Sequence, residues 1–262
     1  MIVIGELING MYGKVSKAIE TKDCVVIENL AIEQARKGAS FLDVNVGPYS
    51  KDPVEDTKWL VSTIQKVCDM SLSIDSTNVT AIEAGLKLAK KRSIINSTSA
   101  DPGKMDIIFD LAKRYNAQVI GLAMDKSGVP NSKERRLELA AVIVAKAIDY
   151  GIAVEDIYLD PIVLPVNVAQ DQGPEVIESI REFRHLSDPA PNTVIGLSNI
   201  SQGTKSRKLM NRTFLIMAMA NGLTSAILDP LDKDLMDAMI TAGCLLNKQI
   251  YCDSFLDAYR KK

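Results

Sequence analysis

Five short apolar runs in this chain end in, or carry near their ends, a carboxylate or a carboxamide. Ser71-Leu-Ser-Ile-Asp-Ser-Thr77 stops at Asp75, and Phe41-Leu-Asp-Val-Asn-Val-Gly47 carries Asp43 and Asn45. Ser93-Ile-Ile-Asn-Ser-Thr98 carries Asn96, Ile157-Tyr-Leu-Asp-Pro161 carries Asp160, and Val194-Ile-Gly-Leu-Ser-Asn199 ends at Asn199. A carboxylate only accepts hydrogen bonds, whereas a carboxamide both donates and accepts. Asp75, Asn96 and Asp160 together offer two acceptors and one mixed amide. That set suits the edge of a flat heterocycle with several N–H donors and one carbonyl. The competing explanation is that each polar residue caps the helix that follows it. Repetition at so many exits favours a shared site.

The elements that must position these residues alternate along the chain. Strands are expected at Ile2–Ile8 with Glu6 near its exit, over the five runs above, at Gln118–Met124, and at Ser225–Asp229. Leu72 and Ile74 alternate with small residues, as in a strand covered on both faces. Helices are expected over Val15–Lys37 with Gly38 as a stop, over Glu55–Val67, and from an Asn78 cap to Lys90. Further ones follow over Met105–Tyr115 after a turn at Asp101-Pro102-Gly103, over Lys133–Tyr150, and from Gly173-Pro174 to Leu186. The last two are Arg212–Ala220, after a long basic loop at 201–210, and Lys233–Lys248. Eight strand–helix units without a Pro/Gly/Ser-rich linker imply one domain over 1–262, a (β/α)8 TIM barrel of α/β class. The strand exits then lie on the face of the barrel that carries sites. A doubly wound sheet is the competing fold, but Gly5, Gly10 and Gly13 do not make its G-x-G-x-x-G spacing.

Composition narrows the function classes. The chain has 262 residues, 47% hydrophobic and 24% charged, enough to bury a sizeable core. Its formal net charge is −2 and its pI about 5.6, which gives no footprint for nucleic acid or an anionic membrane. No apolar run has transmembrane length, and the first residues lack a signal-peptide pattern, so a cytoplasmic protein is expected. Cys24, Cys68, Cys244 and Cys252 form no C-x-x-C and read as buried free thiols. Tripeptide matches to a glycosylation acceptor at Asn78, Asn96, Asn199 and Asn211 are chance matches in that compartment. The single histidine, His185, falls in an amphipathic helical pattern away from the strand exits and reads as a surface residue. One histidine argues against a multi-histidine metal site and against Ser-His or Cys-His catalysis, so no bound metal is expected.

A pterin presents the heterocycle edge described above. The chain also resembles the pterin-binding methyltransferases. The likeness rests on Leu42-Asp-Val-Asn-Val-Gly-Pro48, Ile74-Asp-Ser-Thr-Asn78, Ile95-Asn-Ser-Thr98, Asp160-Pro161 and Gly196-Leu-Ser-Asn-Ile-Ser-Gln202. It extends to Asn211-Arg-Thr-Phe214 and Tyr251-Cys-Asp-Ser-Phe255. Within that group the chain is most similar to the methyltetrahydrofolate:corrinoid/iron–sulfur protein methyltransferases. The resemblance implies a homodimeric barrel. It implies that Asp75, Asn96 and Asp160, with Gly196, Ser198 and Gln202, hold the pterin of methyltetrahydrofolate or tetrahydrofolate. It also implies that Asn199 lies beside N5, the nitrogen that carries the methyl group. Glu6, Asp43, Asn45, Met124, Arg207 and Ile227 are further candidates for the site.

Methyl leaves a tertiary amine only when the nitrogen becomes a better leaving group, so N5 must gain a proton or a strong hydrogen bond by the transition state. Asn199 can stabilise the developing charge through its amide, and Asp75 can order the water that supplies a proton. The resemblance makes the methyl acceptor a corrinoid (a cobalamin). No cobalt ligand is evident in the sequence, so the corrinoid is expected on a partner protein. The direction of transfer is open, because a catalyst speeds both, and loading methyl onto tetrahydrofolate from a methylcorrinoid protein is the alternative. Dihydropteroate synthase is a rival within the same superfamily. Its Arg-x-His element after the last strand is missing here, where the chain reads Ile227-Leu-Asp-Pro230. Lys205, Arg207 and Lys208 in the 202–210 loop are candidates for a lid or for contact with the folate's glutamate tail or the corrinoid protein.

Overall fold

In the computed structural model, which describes residues 1–260, eight parallel strands close into a barrel in sequence order. They are β1 Ile2–Gly5, β2 Phe41–Asn45, β3 Ser71–Asp75, β4 Ile94–Ser99, β5 Gln118–Leu122, β6 Ile157–Asp160, β7 Asn192–Gly196 and β8 Ser225–Leu228. Around them run α1 Gly13–Thr21, α2 Cys24–Arg36, α3 Pro53–Val67, α4 Val79–Leu88 and α5 Pro102–Tyr115. These are followed by α6 Lys133–Asp149, α7 Gln172–Phe183, α8 Arg207–Ala220, α9 Lys233–Leu245 and α10 Phe255–Tyr259. The ring closes where β1 pairs β8, from Ile2 opposite Ser225 to Gly5 opposite Leu228. The barrel expected from strict alternation is therefore the fold.

The barrel interior is apolar at one level: Ile4, Ile94, Ile120, Tyr158 and Val194 meet there. Outside the strands, two larger clusters fill the space under the helices. One gathers residues from Ile8 to Phe183, and the other gathers Val3 with residues from Val163 to Ala242. Burying these side chains supplies the main driving force for closure.

Several boundaries differ from the sequence expectation, each for a local reason. The single helix expected over 15–37 is two. Lys22 turns left-handed (φ 55°) and its N–H reaches back to Ala18 and Ile19, while Asp23 starts α2 by accepting from the Val25 N–H. Asp101-Pro102-Gly103 opens α5: Asp101 caps the Gly103 N–H and Pro102 takes the first helical position, where no N–H is needed. β1 ends at Gly5 and β7 at Gly196, so Asn199 lies beyond its strand, on a 3-10 turn over Leu197–Ser201. The basic loop is shorter than expected, because α8 starts at Arg207. The four cysteines are unpaired as expected, but none is fully buried: Cys252 is exposed and the others are half-buried. His185 is exposed, past the end of α7.

At the barrel mouth the loops after β1 and β2 cross in contact. A side chain on Gly10 would collide with the Val46 carbonyl at 2.2 Å. Gly47, at φ +76°, would meet the Gly10 backbone at 2.7 Å. Only two glycines allow this approach, and it seats the mouth side of β2.

Candidate functional site

The polar residues expected at the strand exits converge on the C-terminal mouth of the barrel. Helix capping does not explain them. The caps are supplied by Asp23, Asp52, Asn78, Asp101, Ser132 and Asp232. Asp75, Asn96, Asp160 and Asn199 cap nothing, and Asn78 does as expected.

One wall is built by β2, β3 and β4, and its side chains are bonded to one another. The β2–β3 register sets Asp43 opposite Ser73 and Asn45 opposite Asp75, and the β3–β4 register sets Asp75 opposite Asn96. Ser73 Oγ donates to Asp43 Oδ1 at 2.7 Å, and Asn96 Nδ2 donates to the same oxygen at 3.2 Å. Asn45 Nδ2 donates to Asp75 Oδ2 at 2.6 Å, while the Asn45 carbonyl oxygen takes the Gly47 N–H. Asp43 and Asp75 lie close enough to act on each other's ionisation. Asp43 is 2% exposed. Burial, and then the neighbouring Asp75 charge, push its carboxyl well above the usual carboxylate range. Burial raises Asp75 too, and the Asn45 amide pulls it partly back. Two buried carboxyls this close cannot both ionise cheaply, so each disfavours the ionisation of the other.

A second wall is built by β6 and the turn after β7. Asp160, 8% exposed, accepts the Ile162 N–H at 2.7 Å through Oδ1. Oδ2 has no hydrogen-bond partner among the described residues. Burial raises this carboxyl to about 7, against the weaker opposing pull of the Ile162 N–H and the Arg136 charge. Asn199 is exposed, and its amide makes no side-chain hydrogen bond among the described residues. Gly196 leaves it room: a Cβ there would come within 3.0 Å of Asn199 Nδ2.

A third group joins β1 to this turn. Ser198 Oγ donates to Glu6 Oε2 at 2.9 Å. Burial raises the Glu6 carboxyl, Ser198 opposes that, and the nearby Asp229 adds to it. Tyr12 lies near Glu6, and its phenol is pushed up to about 12 by burial and by the Glu6 charge. Arg207, the first residue of α8, donates to Ser201 Oγ at 3.2 Å and to the Ser198 carbonyl at 3.3 Å, so it braces the turn that carries Asn199.

Of the further candidates, Glu6, Asp43, Asn45 and Arg207 belong to these networks. Ile227 packs against the interior apolar cluster, and Met124 contributes its carbonyl to the Ala100 N–H; neither adds a polar side chain. Gln202 is exposed, with its backbone N–H on the Asn199 carbonyl. Lys208 lies 3.8 Å from Asp232. Sequence reasoning missed Ser73, Tyr12, Asp229 and Arg136. Ser73 alternates with Asp75 on one strand face, and Asp229 directly follows β8 at a strand exit, so both had a signal. Arg136 sits in a charged helical stretch that reads as solvent-facing and gives none.

A barrel with acceptors and amides around its C-terminal mouth defines a heterocycle-binding barrel. The chain belongs to the pterin binding enzyme family, whose profile matches residues 5–229. It is 34% identical to the methylcorrinoid:tetrahydrofolate methyltransferase of Eubacterium limosum, over 100% of this chain and 97% of that protein. It is 29% identical to the methionine synthases of Mycobacterium leprae and Mycobacterium tuberculosis over 87% of this chain, which spans 20% of their length. A solved dihydropteroate synthase from Xanthomonas albilineans superposes with a TM-score of 0.62 at 14% identity. The match covers 96% of this chain and 93% of that one, a likeness of fold alone.

Proposed function

We propose that this chain moves a methyl group between N5 of methyltetrahydrofolate and the cobalt of a corrinoid carried by a partner protein. The carrying observation is the mouth itself. Three strands deliver Asp75, Asn96 and Asp160 to one opening, and an unbonded Asn199 amide stands beside them. End-to-end similarity to a methyltransferase named for methylcorrinoid and tetrahydrofolate supports the same chemistry.

In this reading Asp160 and the Asp75–Asn96 wall grip the pterin edge through its N–H groups and carbonyl. Asp160, titrating at about 7, passes from weaker to stronger acceptor as the solution becomes alkaline. Asn199 meets the charge that develops at N5 as the carbon–nitrogen bond breaks or forms. Preorganised donors of this type contribute ~2–4 kcal/mol to a transition state. The corrinoid supplies the cobalt nucleophile, and this chain holds the folate in line with it. Arg207, at the start of α8, keeps the Asn199 turn in place. The remaining elements of the reading are a homodimer and a cytoplasmic location; no helix among the described residues is long and apolar enough to cross a membrane.

The direction is a second question. The relative's name makes methylcorrinoid the donor, which favours synthesis of methyltetrahydrofolate as the direction in the cell. Anaerobic exchange tests both. Reduced cobalamin with methyltetrahydrofolate, and methylcobalamin with tetrahydrofolate, should each react faster with the protein than without it. Absence of either reaction with intact folate binding would remove the methyltransferase reading.

A further inference from the structure

Arg136, in the first turn of α6, is the largest fully buried side chain of the barrel. A buried guanidinium ordinarily faces a carboxylate. Among the described residues Arg136 has none within ion-pair distance. Its Nε donates to the Pro161 carbonyl at 2.8 Å and one Nη donates to Gln172 Oε1 at 2.9 Å. The other Nη is buried without a partner. An uncompensated charge of this kind is a poor device for stability, since apolar replacements of buried ions are often neutral or better.

What it touches explains its presence. The Pro161 carbonyl and the Ile162 N–H are the two ends of one peptide unit. The carbonyl accepts from Arg136, and the N–H donates to Asp160 Oδ1 at 2.7 Å. A cation, a polarised peptide and a carboxylate therefore stand in one line of hydrogen bonds. Ile162 is held at φ 67°, a left-handed conformation unfavourable for a β-branched residue. Strain at this turn persists only if the surroundings fix it, and the two hydrogen bonds on its peptide do so. Gln172 extends the brace: its Nε2 donates to the Asn131 carbonyl and to Asp171, tying the loops before α6 and α7 together.

We infer that Arg136 is a positioning residue for Asp160: through the Pro161–Ile162 peptide it sets the orientation of the Asp160 carboxyl and keeps it an acceptor. The inference rests on the proposed role of Asp160 in gripping the folate ring. Arg136 is the charged group that acts on Asp160 among the described residues, and Glu175 on α7 acts on Arg136 in turn.

The test uses the full chain with Arg136→Met, which removes the charge and both donors, and Arg136→Lys, which keeps the charge. The Asp160 carboxyl is titrated in the folate-free protein by carbon-13 NMR, assigned by its loss in Asp160→Asn. The wild type should titrate near 7. Arg136→Met should titrate about one pH unit higher, because a favourable charge and a polarised donor are gone. Its affinity for methyltetrahydrofolate should fall about fivefold at pH 7 and recover towards pH 9. An unmoved midpoint in a folded Arg136→Met protein overturns the inference, and so does a loss of affinity equal at both pH values. If Arg136→Met does not fold, Arg136→Lys carries the test. A single ammonium cannot serve both Pro161 and Gln172 in the guanidinium's fork geometry, so affinity should drop several-fold with little change in midpoint; unchanged affinity overturns the inference. Asp160→Ala in the same folate titration separates the two ideas. Unchanged binding there removes the role of Asp160 in folate binding, while the NMR midpoint still reports on Arg136.

Discussion

The two walls of the mouth raise their carboxyls above the usual range in different ways. On the β2–β4 wall, Asp43 and Asp75 crowd each other, and Ser73, Asn45 and Asn96 close the network from every side. On the β6–β7 wall, Asp160 stands apart with one oxygen unpartnered among the described residues, and the Asn199 side chain has no partner among them either. On the first wall Asp43 is scaffold: it accepts from Ser73 and Asn96 and so fixes the strand ends that carry Asp75 and Asn96. On the second, Asp160 leaves one carboxyl oxygen and the exposed Asn199 its whole amide without a partner among the described residues, so this wall has hydrogen-bonding capacity to offer a ligand.

Substitutions can break that contrast. Asp43→Ala removes the acceptor shared by Ser73 and Asn96 and leaves both facing a cavity. Stability should fall by ~3 kcal/mol in urea unfolding, whereas Asn199→Ala should stay within ~0.5 kcal/mol of wild type. Similar losses at the two positions would erase the distinction between scaffold and open wall. Asn199→Ala should instead act on chemistry. Single-turnover methyl transfer to reduced cobalamin should slow ~10²-fold, about 2.7 kcal/mol, while folate affinity changes less than tenfold. Equal losses of rate and affinity would leave Asn199 a ring-holding residue only.

The smallest effect concerns pH. Asp160 titrates at about 7 in the folded protein against 3.8 in an unfolded chain, so between those values the native state holds the extra proton. The stability linked to it is present below pH 4 and is lost as the pH rises through 7. Asp160→Asn has no charge to bury. Its stability relative to wild type should therefore improve by about 2.5 kcal/mol between pH 5 and pH 8, followed by urea unfolding at each pH. A pH-independent difference would mean that the Asp160 carboxyl is already solvated as an anion.

The barrel was legible because parallel strands covered on both faces read as short apolar runs, and because nearly every run stopped at a polar residue. Asp75, Asn96 and Asp160 were legible for the same reason: no packing demand puts a carboxylate at a buried strand exit. The boundaries were less so. The break at Lys22–Asp23 depends on a left-handed turn by a non-glycine residue, and the helical start at Asp101 looks identical to a turn until its N–H groups are accounted for. Asn199 could be placed near the mouth, but its 3-10 turn could not, since Leu197–Ser201 has the composition of a strand end. Arg136 was invisible. Its role depends on a peptide 25 residues away, and local sequence carries no trace of that contact.

The closure of the ring also orders events in time. β1 shares two residue pairs with β2 but four with β8, and Val3 lies in the apolar cluster formed by residues 163 to 242. The first strand made is thus seated mainly by the last. During synthesis, β1 must wait with one edge open until Ser225–Leu228 has emerged, an entropic delay imposed by contacts of very long sequence separation. A nascent chain stopped short of β8 exposes that edge together with the apolar face around Val3, and such species associate readily.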